Sequence, residues 1–253
     1  MAGRLMVCPT PIGNMADAST RLRNCLREAD LVACEDTRRA GRLYERLELK
    51  SPRFVSNHDA NEEARAPQIA KAIERGARVA LISDAGTPVL SDPGYRLIRE
   101  CIERELEVEV LPGPSAITTA LVASALPPDR WRFEGFLPRR PGELERVLQS
   151  TETVVAFESP RRLPASLRAL AALAPDRPAA VCRELTKLHE EVARGSLGEL
   201  ARQFRGEQKG EIVVVIAASR RRAAAPDTAF AVDALRRLVQ SGARPRAAAG
   251  VVA

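Results

Sequence analysis

Short apolar runs alternate with longer segments of helical periodicity through the first half of the chain. Five of these runs predict short strands, at residues 5–8, 31–34, 53–55, 79–82 and 108–111. The segments between them space apolar residues three and four positions apart, as one face of a helix requires, for example at Leu22, Cys25, Leu26 and Ala29. Strands that alternate with helices in this way predict a mostly parallel sheet with helices on both faces.

Polar and turn-forming residues follow most of these strands. The clearest case is SDAGTP at 83–88, and PTPIGN at 9–14, EDTR at 35–38 and PGPSA at 112–116 follow the same rule. The carboxyl ends of parallel strands meet at one edge of the sheet, and open α/β sheets bind their ligands there. In the 83–88 loop, Gly86 allows close backbone approach, while Asp84 offers an acceptor and Thr87 a hydroxyl. The sequence therefore predicts a binding site at this edge.

A boundary at LPPD, residues 126–129, separates a second α/β part from the first. Its apolar runs predict strands at 131–136, 154–157, 179–182 and 212–217, and residues 190–194 form a further candidate, which together indicate a mixed sheet. The predicted organisation is an N-terminal α/β domain at 1–125, a C-terminal α/β domain at 129–218, a linker at 219–228 and a partial helical extension at 229–253. The helical pattern of the extension breaks off at Ala253.

The charge balance favours an anionic partner such as nucleic acid. The net charge is +6 and the isoelectric point is about 9.4. Aromatic residues make up only 4% of the chain, which argues against stacking platforms for single-stranded nucleic acid. Five scattered cysteines without a CxxC pair indicate neither a disulfide framework nor a zinc site, and they fit a reducing cytoplasm. No apolar run is long enough for a membrane span, so we expect a cytoplasmic protein.

Common catalytic signatures are missing from the sequence. GxGxxG, GxxxxGK[ST], GxSxG and HExxH do not occur, which argues against nicotinamide Rossmann domains, P-loop NTPases, α/β-hydrolases and zinc proteases. The chain has only two histidines, His58 and His189, and no acidic cluster demands a metal, so no metal site is predicted.

Eight short motifs, in this order and spacing, resemble the tetrapyrrole methylase superfamily of S-adenosylmethionine enzymes. They are TPIGN at 10–14, EDTR at 35–38, SDAGTP at 83–88, DPGY at 92–95, LPGPSA at 111–116, EGFLP at 134–138, FESP at 157–160 and RELTK at 183–187. EDTR and RELTK are similar to the ribosomal RNA branch of that superfamily. The resemblance implies two α/β domains with S-adenosylmethionine in the cleft between them, usually in a homodimer. It also implies methyl transfer to the 2′-hydroxyl of a cytidine in small-subunit (16S) ribosomal RNA.

The same motifs carry the implied cofactor contacts. The resemblance implies that residues of both domains contact the methionine end and the adenosine of the cofactor, some of them through the backbone. These residues are Pro11, Gly13, Asp84, Gly86, Thr87, Ser115, Ala116, Phe157 and Leu185.

Three residues are candidates for the proton transfer that a ribose hydroxyl requires. Glu35 and Asp36 end a predicted strand at the proposed edge, although either of them could instead cap the following helix. Lys187 serves as a base only if its pKa is lowered, and otherwise binds phosphate. His58 is a further acid/base candidate whose alternative is a hydrogen-bonded loop histidine.

Arginines that border the predicted cleft are the candidates for RNA phosphate contacts, and they are Arg38, Arg39, Arg42, Arg139, Arg140, Arg161 and Arg162. Two other interpretations stay open at this point. One is a methylase of the same superfamily that acts on a small tetrapyrrole, and the other is a non-catalytic RNA-binding or assembly factor that retains the fold.

Overall fold

The computed structural model describes residues 3–219 and, beyond them, Arg237. This part of the chain contains ten strands and eight α-helices in two α/β units. The predicted linker at 219–228 and extension at 229–253 fall outside the described residues, apart from Ser219 and Arg237.

The first unit follows the predicted alternation of strands and helices. Its elements are β1 (Arg4–Val7), α1 (Thr20–Glu28), β2 (Leu31–Cys34), α2 (Thr37–Arg46), β3 (Arg53–Ser56), α3 (Glu62–Glu74), β4 (Arg78–Leu81), α4 (Tyr95–Glu103), β5 (Glu107–Val110) and α5 (Ala116–Ser124). The predicted strands are present, most with bounds shifted by one residue. Helix α1 begins at Thr20, because Ser19 caps it by accepting a hydrogen bond from the backbone N–H of Leu22 at 3.0 Å.

The five strands of the first unit form one fully parallel sheet in the order β3-β2-β4-β1-β5. Side chains on successive residues of β1 point to opposite faces, so Leu5 packs with Ile69 of α3 whereas Met6 packs with Leu22 of α1. A strand that is buried on both faces needs apolar residues at every position, which explains the unbroken apolar runs.

The second unit contains β6 (Trp131–Phe136), α6 (Pro141–Gln149), β7 (Thr153–Glu158), α7 (Leu163–Leu173), β8 (Pro178–Arg183), β9 (Glu191–Ser196), α8 (Leu197–Gln203) and β10 (Ile212–Ile216). Its sheet has the order β6-β7-β10-β8-β9. Only β6 and β7 pair in parallel, and the other pairs are antiparallel, which confirms the predicted mixed sheet.

Helix α6 was not predicted from the sequence. Its start lies in the Pro-Gly segment at 141–142, which resembles a loop, but proline is well accommodated in the first turn of a helix. Leu144, Val147 and Leu148 then bury one face of the helix against the second sheet.

Helix α5 joins the two units. It follows the first sheet in the chain, yet Ile117 and Leu121 pack with Val155, Val213 and other apolar residues of the second sheet. The space between the units is therefore fixed by a shared apolar cluster.

All five cysteines are buried free thiols. Within the described residues, no helix combines the length and the apolar character that spanning a lipid bilayer requires.

Candidate functional site

The loops that follow β1, β4 and β5 are hydrogen-bonded to one another at the carboxyl edge of the first sheet. Thr10 and Gly86 exchange two backbone hydrogen bonds of 2.9 and 3.0 Å. The Thr87 hydroxyl donates to the carbonyl oxygen of Pro114 at 3.0 Å. Gly86 has a φ of +81°, and a Cβ added there would lie 3.2 Å from Ile12 Cγ2, so both conformation and space favour glycine. The predicted meeting of the loops at one edge is therefore confirmed.

A cleft of about 480 Å³ lies between these loops and the second unit. Its first side is lined by residues of the strand-end loops and the start of α5, including Asp84, Gly86, Thr87, Ser115 and Ala116. The second unit contributes Phe157 and Leu185, as well as the beginning of β10. Seven of the nine predicted cofactor residues thus lie along the same cleft.

Pro11 and Gly13 are the two predicted cofactor residues that are not among those lining this cleft. Gly13 instead packs against the 185–187 turn of the second unit. A Cβ added to Gly13 would lie 2.7 Å from Thr186 Oγ1 and 3.1 Å from the Leu185 carbonyl oxygen. The neighbouring backbone N–H of Asn14 donates to Thr186 Oγ1 at 3.1 Å. Gly13 therefore lies where the backbone of the first unit closely approaches the 185–187 turn of the second unit.

Several cleft residues were missed by the sequence reasoning. Leu90, Ser91 and Asp92 lie in the turn after SDAGTP, and the DPGY motif that contains Asp92 was a signal that could have identified them. Residues 210–213 had no such signal. Strand β10 runs antiparallel to β7 and β8, so its first residues lie at the cleft.

Asp36 caps helix α2 and binds Arg38. One of its oxygens accepts from the backbone N–H of Arg38 at 2.8 Å, and the other accepts from Arg38 Nη2 at 2.9 Å. These bonds lower the pKa of Asp36 to about 2. A carboxylate with so low a pKa is a poor proton acceptor, so the structure favours the capping role that the sequence left open.

Glu35 is the carboxylate whose surroundings suit a base. It lines the cleft, and burial together with the charges of Asp84 and Asp59 raises its pKa above the ordinary value for glutamate. Asp84 differs because it forms an ion pair with Arg39 at 3.2 Å. Among the described residues no cation lies within ion-pair distance of Glu35.

Asp92 is a second partly buried carboxyl group in the cleft. Burial and the charge of Glu35 raise the pKa of Asp92 to about 6. The two carboxyl groups therefore disfavour each other's ionisation.

Lys187 is held between two carboxylates. Its Nζ donates to Glu184 Oε1 and Glu211 Oε2, both at 2.8 Å. Burial alone would lower the pKa of Lys187, but these two bonds outweigh it and raise the pKa. Lys187 therefore stays protonated and lacks the lowered pKa that a catalytic base requires.

The predicted RNA-binding arginines divide into two groups. Arg42, Arg139, Arg140 and Arg161 are exposed, and so are Arg38 and Arg39 at the N-terminal end of α2. Arg162 differs from them.

Arg162 is only partly exposed and forms an ion pair with the fully buried carboxylate of Glu158 at 3.2 Å. It also donates to the Leu137 carbonyl oxygen at 2.7 Å. These contacts make Arg162 a structural support for the 137–138 segment.

A second, more open recess adjoins the cleft, and its volume is also about 480 Å³. It is lined by residues that follow β2, β3 and β4 and by the start of α2, which are Glu35, Asp36, Thr37, Arg38, Arg39, Ser56, His58 and Asp84. The cleft and the recess share Glu35, Arg39 and Asp84. No group of three or more His, Cys, Asp or Glu residues in the described part of the chain is arranged to hold a metal ion.

Comparison with known protein families gives a match over most of the chain. The family described as Tetrapyrrole (Corrin/Porphyrin) Methylases matches residues 4–201. A Mycobacterium tuberculosis (strain ATCC 25618 / H37Rv) protein named ribosomal RNA small subunit methyltransferase I is 51% identical over 222 residues, which cover 85% of this chain and 78% of that protein. An Escherichia coli O157:H7 protein of the same name is 38% identical over 244 residues, covering 93% and 84% of the two chains.

Solved structures share the fold at low sequence identity. A diphthine synthase superposes with a TM-score of 0.65 and 17% identity, covering 84% of this chain and 89% of that one. A Thermus thermophilus uroporphyrin-III C-methyltransferase complexed with S-adenosylhomocysteine gives a TM-score of 0.58 and 20% identity, with coverages of 85% and 97%. These similarities confirm the predicted two-unit architecture.

Proposed function

Because this chain belongs to the tetrapyrrole (corrin/porphyrin) methylase family, we propose that it transfers a methyl group from S-adenosylmethionine to the 2′-hydroxyl of a cytidine in small-subunit ribosomal RNA. The names of its relatives support ribosomal RNA as the substrate. The resemblance of the EDTR and RELTK motifs supports the cytidine 2′-hydroxyl as the acceptor. The observation that carries the proposal is the cleft itself, since the family's motifs from both units line it together with Glu35, which forms no ion pair within the described residues.

The cleft fits S-adenosylmethionine in size and in chemistry. Its volume of about 480 Å³ lies in the usual range for small-molecule sites. The absent side chain of Gly86 leaves room for a ligand beside the backbone. Ser115 and Ala116 begin helix α5, whose first backbone N–H groups suit the carboxylate of the methionine end. Phe157 and Leu185 offer apolar surface to the adenosine.

The protein's own contribution is orientation and proton transfer. S-adenosylmethionine supplies a methyl group that is already activated on a sulfonium, so holding the acceptor oxygen in line provides much of the acceleration. Glu35 would accept the hydroxyl proton, and a positioned base of this kind contributes about 10²–10⁴-fold. Arg39 holds Asp84 in place through their ion pair.

Electrostatic attraction would bring RNA to the same side of the molecule. Arg38, Arg39 and Arg42 lie on helix α2 beside the recess, and Arg139 and Arg140 precede helix α6. Exposed arginines contact the phosphate backbone without reading the sequence. The homodimer and the cytoplasmic location that the sequence indicated stay predictions.

The test is transfer of labelled methyl from S-adenosylmethionine to small ribosomal subunits from cells that lack this chain. We expect label on the ribose of one cytidine after nuclease digestion. We expect Glu35→Gln to lower the transfer rate about 10²-fold or more while calorimetry shows unchanged cofactor binding. Glu45→Gln, on the exposed side of α2, is the matched control and should transfer at the wild-type rate.

Label on a base would contradict the ribose assignment. Intact cofactor binding without label on subunits or on free ribosomal RNA would overturn the RNA proposal and favour a small-molecule acceptor. Absence of any affinity for S-adenosylmethionine would leave the non-catalytic RNA-binding factor.

A further inference from the structure

The recess beside the cleft also opens onto Glu35. Glu35, Arg39 and Asp84 form the wall that the two cavities share. A cofactor bound in the cleft would occupy one side of this wall, and the recess would leave the other side open to an acceptor. We propose that the acceptor nucleotide lies in the recess, where His58 Nδ1–H donates a hydrogen bond to it and Glu35 receives its hydroxyl proton. This inference rests on the proposed methyl transfer.

Asn61 fixes the hydrogen-bonding state of the His58 ring. Asn61 Oδ1 accepts from the backbone N–H of His58 at 2.8 Å, and Asn61 Nδ2 donates to the Ser56 carbonyl oxygen at 3.3 Å. A backbone N–H can only donate and a backbone carbonyl oxygen can only accept, so these two contacts identify which end of the Asn61 side-chain amide is the nitrogen. The same Nδ2 lies 3.1 Å from His58 Nε2, which must therefore accept. An imidazole whose Nε2 accepts carries its proton on Nδ1.

The Nδ1–H of His58 is thus a donor without a partner among the described residues, on a side chain that lines the recess. The ring is only partly buried, so a ligand can reach it. The phosphate and sugar oxygens of a nucleotide are acceptors that match such a donor. The guanidinium groups of Arg38 and Arg39 also line the recess and suit the same oxygens.

The turn that carries His58 has a second unusual feature. The amide of Asn57 is only 1% exposed, and neither its nitrogen nor its oxygen has a hydrogen-bond partner within the described part of the chain. Buried polar groups without partners are rare in folded proteins, and each one calls for an explanation such as a role in function. Asn57 precedes His58, so this buried amide belongs to the turn that borders the recess.

In the proposed transfer, one of the residues that the cleft and the recess share must accept a proton. The acceptor oxygen forms the new bond to the methyl carbon, the bonding pair of the methyl–sulfur bond stays with sulfur, and the hydroxyl proton passes to Glu35. Asp84 is engaged with Arg39 and Asp36 with Arg38. Glu35 is therefore the carboxylate of the recess that is free to receive the proton.

Two substitutions of His58 separate a binding role from a structural one. His58→Gln can keep an acceptor for Asn61 where Nε2 lies, but it has no donor where Nδ1 lies. His58→Asn keeps a donor near the Nδ1 position and loses the acceptor for Asn61. We expect His58→Gln to raise the KM for small ribosomal subunits about three- to tenfold, and more than His58→Asn does. The affinity for S-adenosylmethionine should change in neither variant.

The opposite order would overturn the inference. If His58→Gln keeps the wild-type KM while His58→Asn raises it and lowers the melting temperature, the ring only holds its turn. Subunit binding by protein saturated with S-adenosylhomocysteine should be measured in parallel, because binding does not require transfer. If His58→Gln weakens subunit binding more than His58→Asn does and no methyl transfer is detected, the acceptor site in the recess is supported and the proposed reaction is refuted. Transfer with both variants at the wild-type KM would support the reaction and refute the recess.

Discussion

Replacing Asp92 with asparagine is expected to stabilise the protein at neutral and alkaline pH. Burial and the charge of Glu35 raise the pKa of Asp92 from 3.8 to about 6. The folded protein therefore binds this proton more tightly than the unfolded chain does, so the wild type loses stability as the pH rises from about 4 to about 6. Above that range Asp92 is charged in both states and the whole penalty is present.

The pKa difference sets an upper limit on the gain in stability. A rise from 3.8 to about 6, at about 1.4 kcal/mol per pH unit, corresponds to about 3 kcal/mol. Asp92 is only partly buried, so solvent screening reduces the expected gain for Asp92→Asn to about 1–2 kcal/mol. The gain should shrink towards zero at about pH 4, where the carboxyl of the folded wild type is already neutral.

Urea denaturation followed by far-ultraviolet circular dichroism measures this gain. Trp131, the only tryptophan, lies in the second unit, whereas Asp92 belongs to the first. Tryptophan fluorescence alone would therefore follow the wrong unit. Asp129→Asn is the control, because Asp129 is exposed between the units. An equal gain for Asp92→Asn at pH 4 and pH 8, or a loss at pH 8, would refute the argument from charge.

Two further substitutions test the contact between the units and the base. Gly13→Ala should lower the free energy of unfolding by about 1–3 kcal/mol and weaken cofactor binding in calorimetry, because its Cβ would lie 2.7 Å from Thr186 Oγ1 beside Leu185. At Gly41, a Cβ would meet no atom of the other described residues within 4 Å, its own helix backbone aside, so Gly41→Ala should instead stabilise helix α2 slightly. Equal effects of the two changes would contradict the packing argument. In single-turnover assays, the wild-type rate should fall with decreasing pH through the raised pKa of Glu35, above its ordinary 4.5, because only the carboxylate accepts a proton. Glu35→Gln should lose this acid limb, and a wild-type rate that stays constant down to about pH 4.5 would exclude Glu35 as the base.

The central strands of the first unit could be predicted from the sequence because burial on both faces leaves a continuous apolar run at β1, β2 and β4. Leu5–Val7 and Val79–Leu81 are examples, and the glycine- and proline-rich loops mark where such strands end. Helix α6 escaped prediction because its first turn uses proline and glycine, whose usual meaning is a loop. The local sequence pattern predicts a loop where the structure has a helix. The packing of Leu144 and Leu148 in the apolar core of the second unit stabilises that helix.

The roles of individual side chains in the site were harder to predict, since they depend on partners that are distant in sequence. Lys187 is paired with Glu211, 24 residues further along the chain, and no spacing rule indicates that pair. Gly210 and Ile212 reach the cleft only because β10 runs antiparallel. Asp36 is the exception, because its capping of α2 follows from its position before a helix.

Helix α5 also bears on how the protein responds to its own ligand. Since Ile117 and Leu121 of α5 sit in a cluster with Val155 and Val213, the walls of the cleft are already positioned in the folded chain. A molecule that fills the cleft touches both walls, so it raises the free energy of unfolding of both units together. Cofactor supply would thereby act on the lifetime of the whole protein as well as on its turnover.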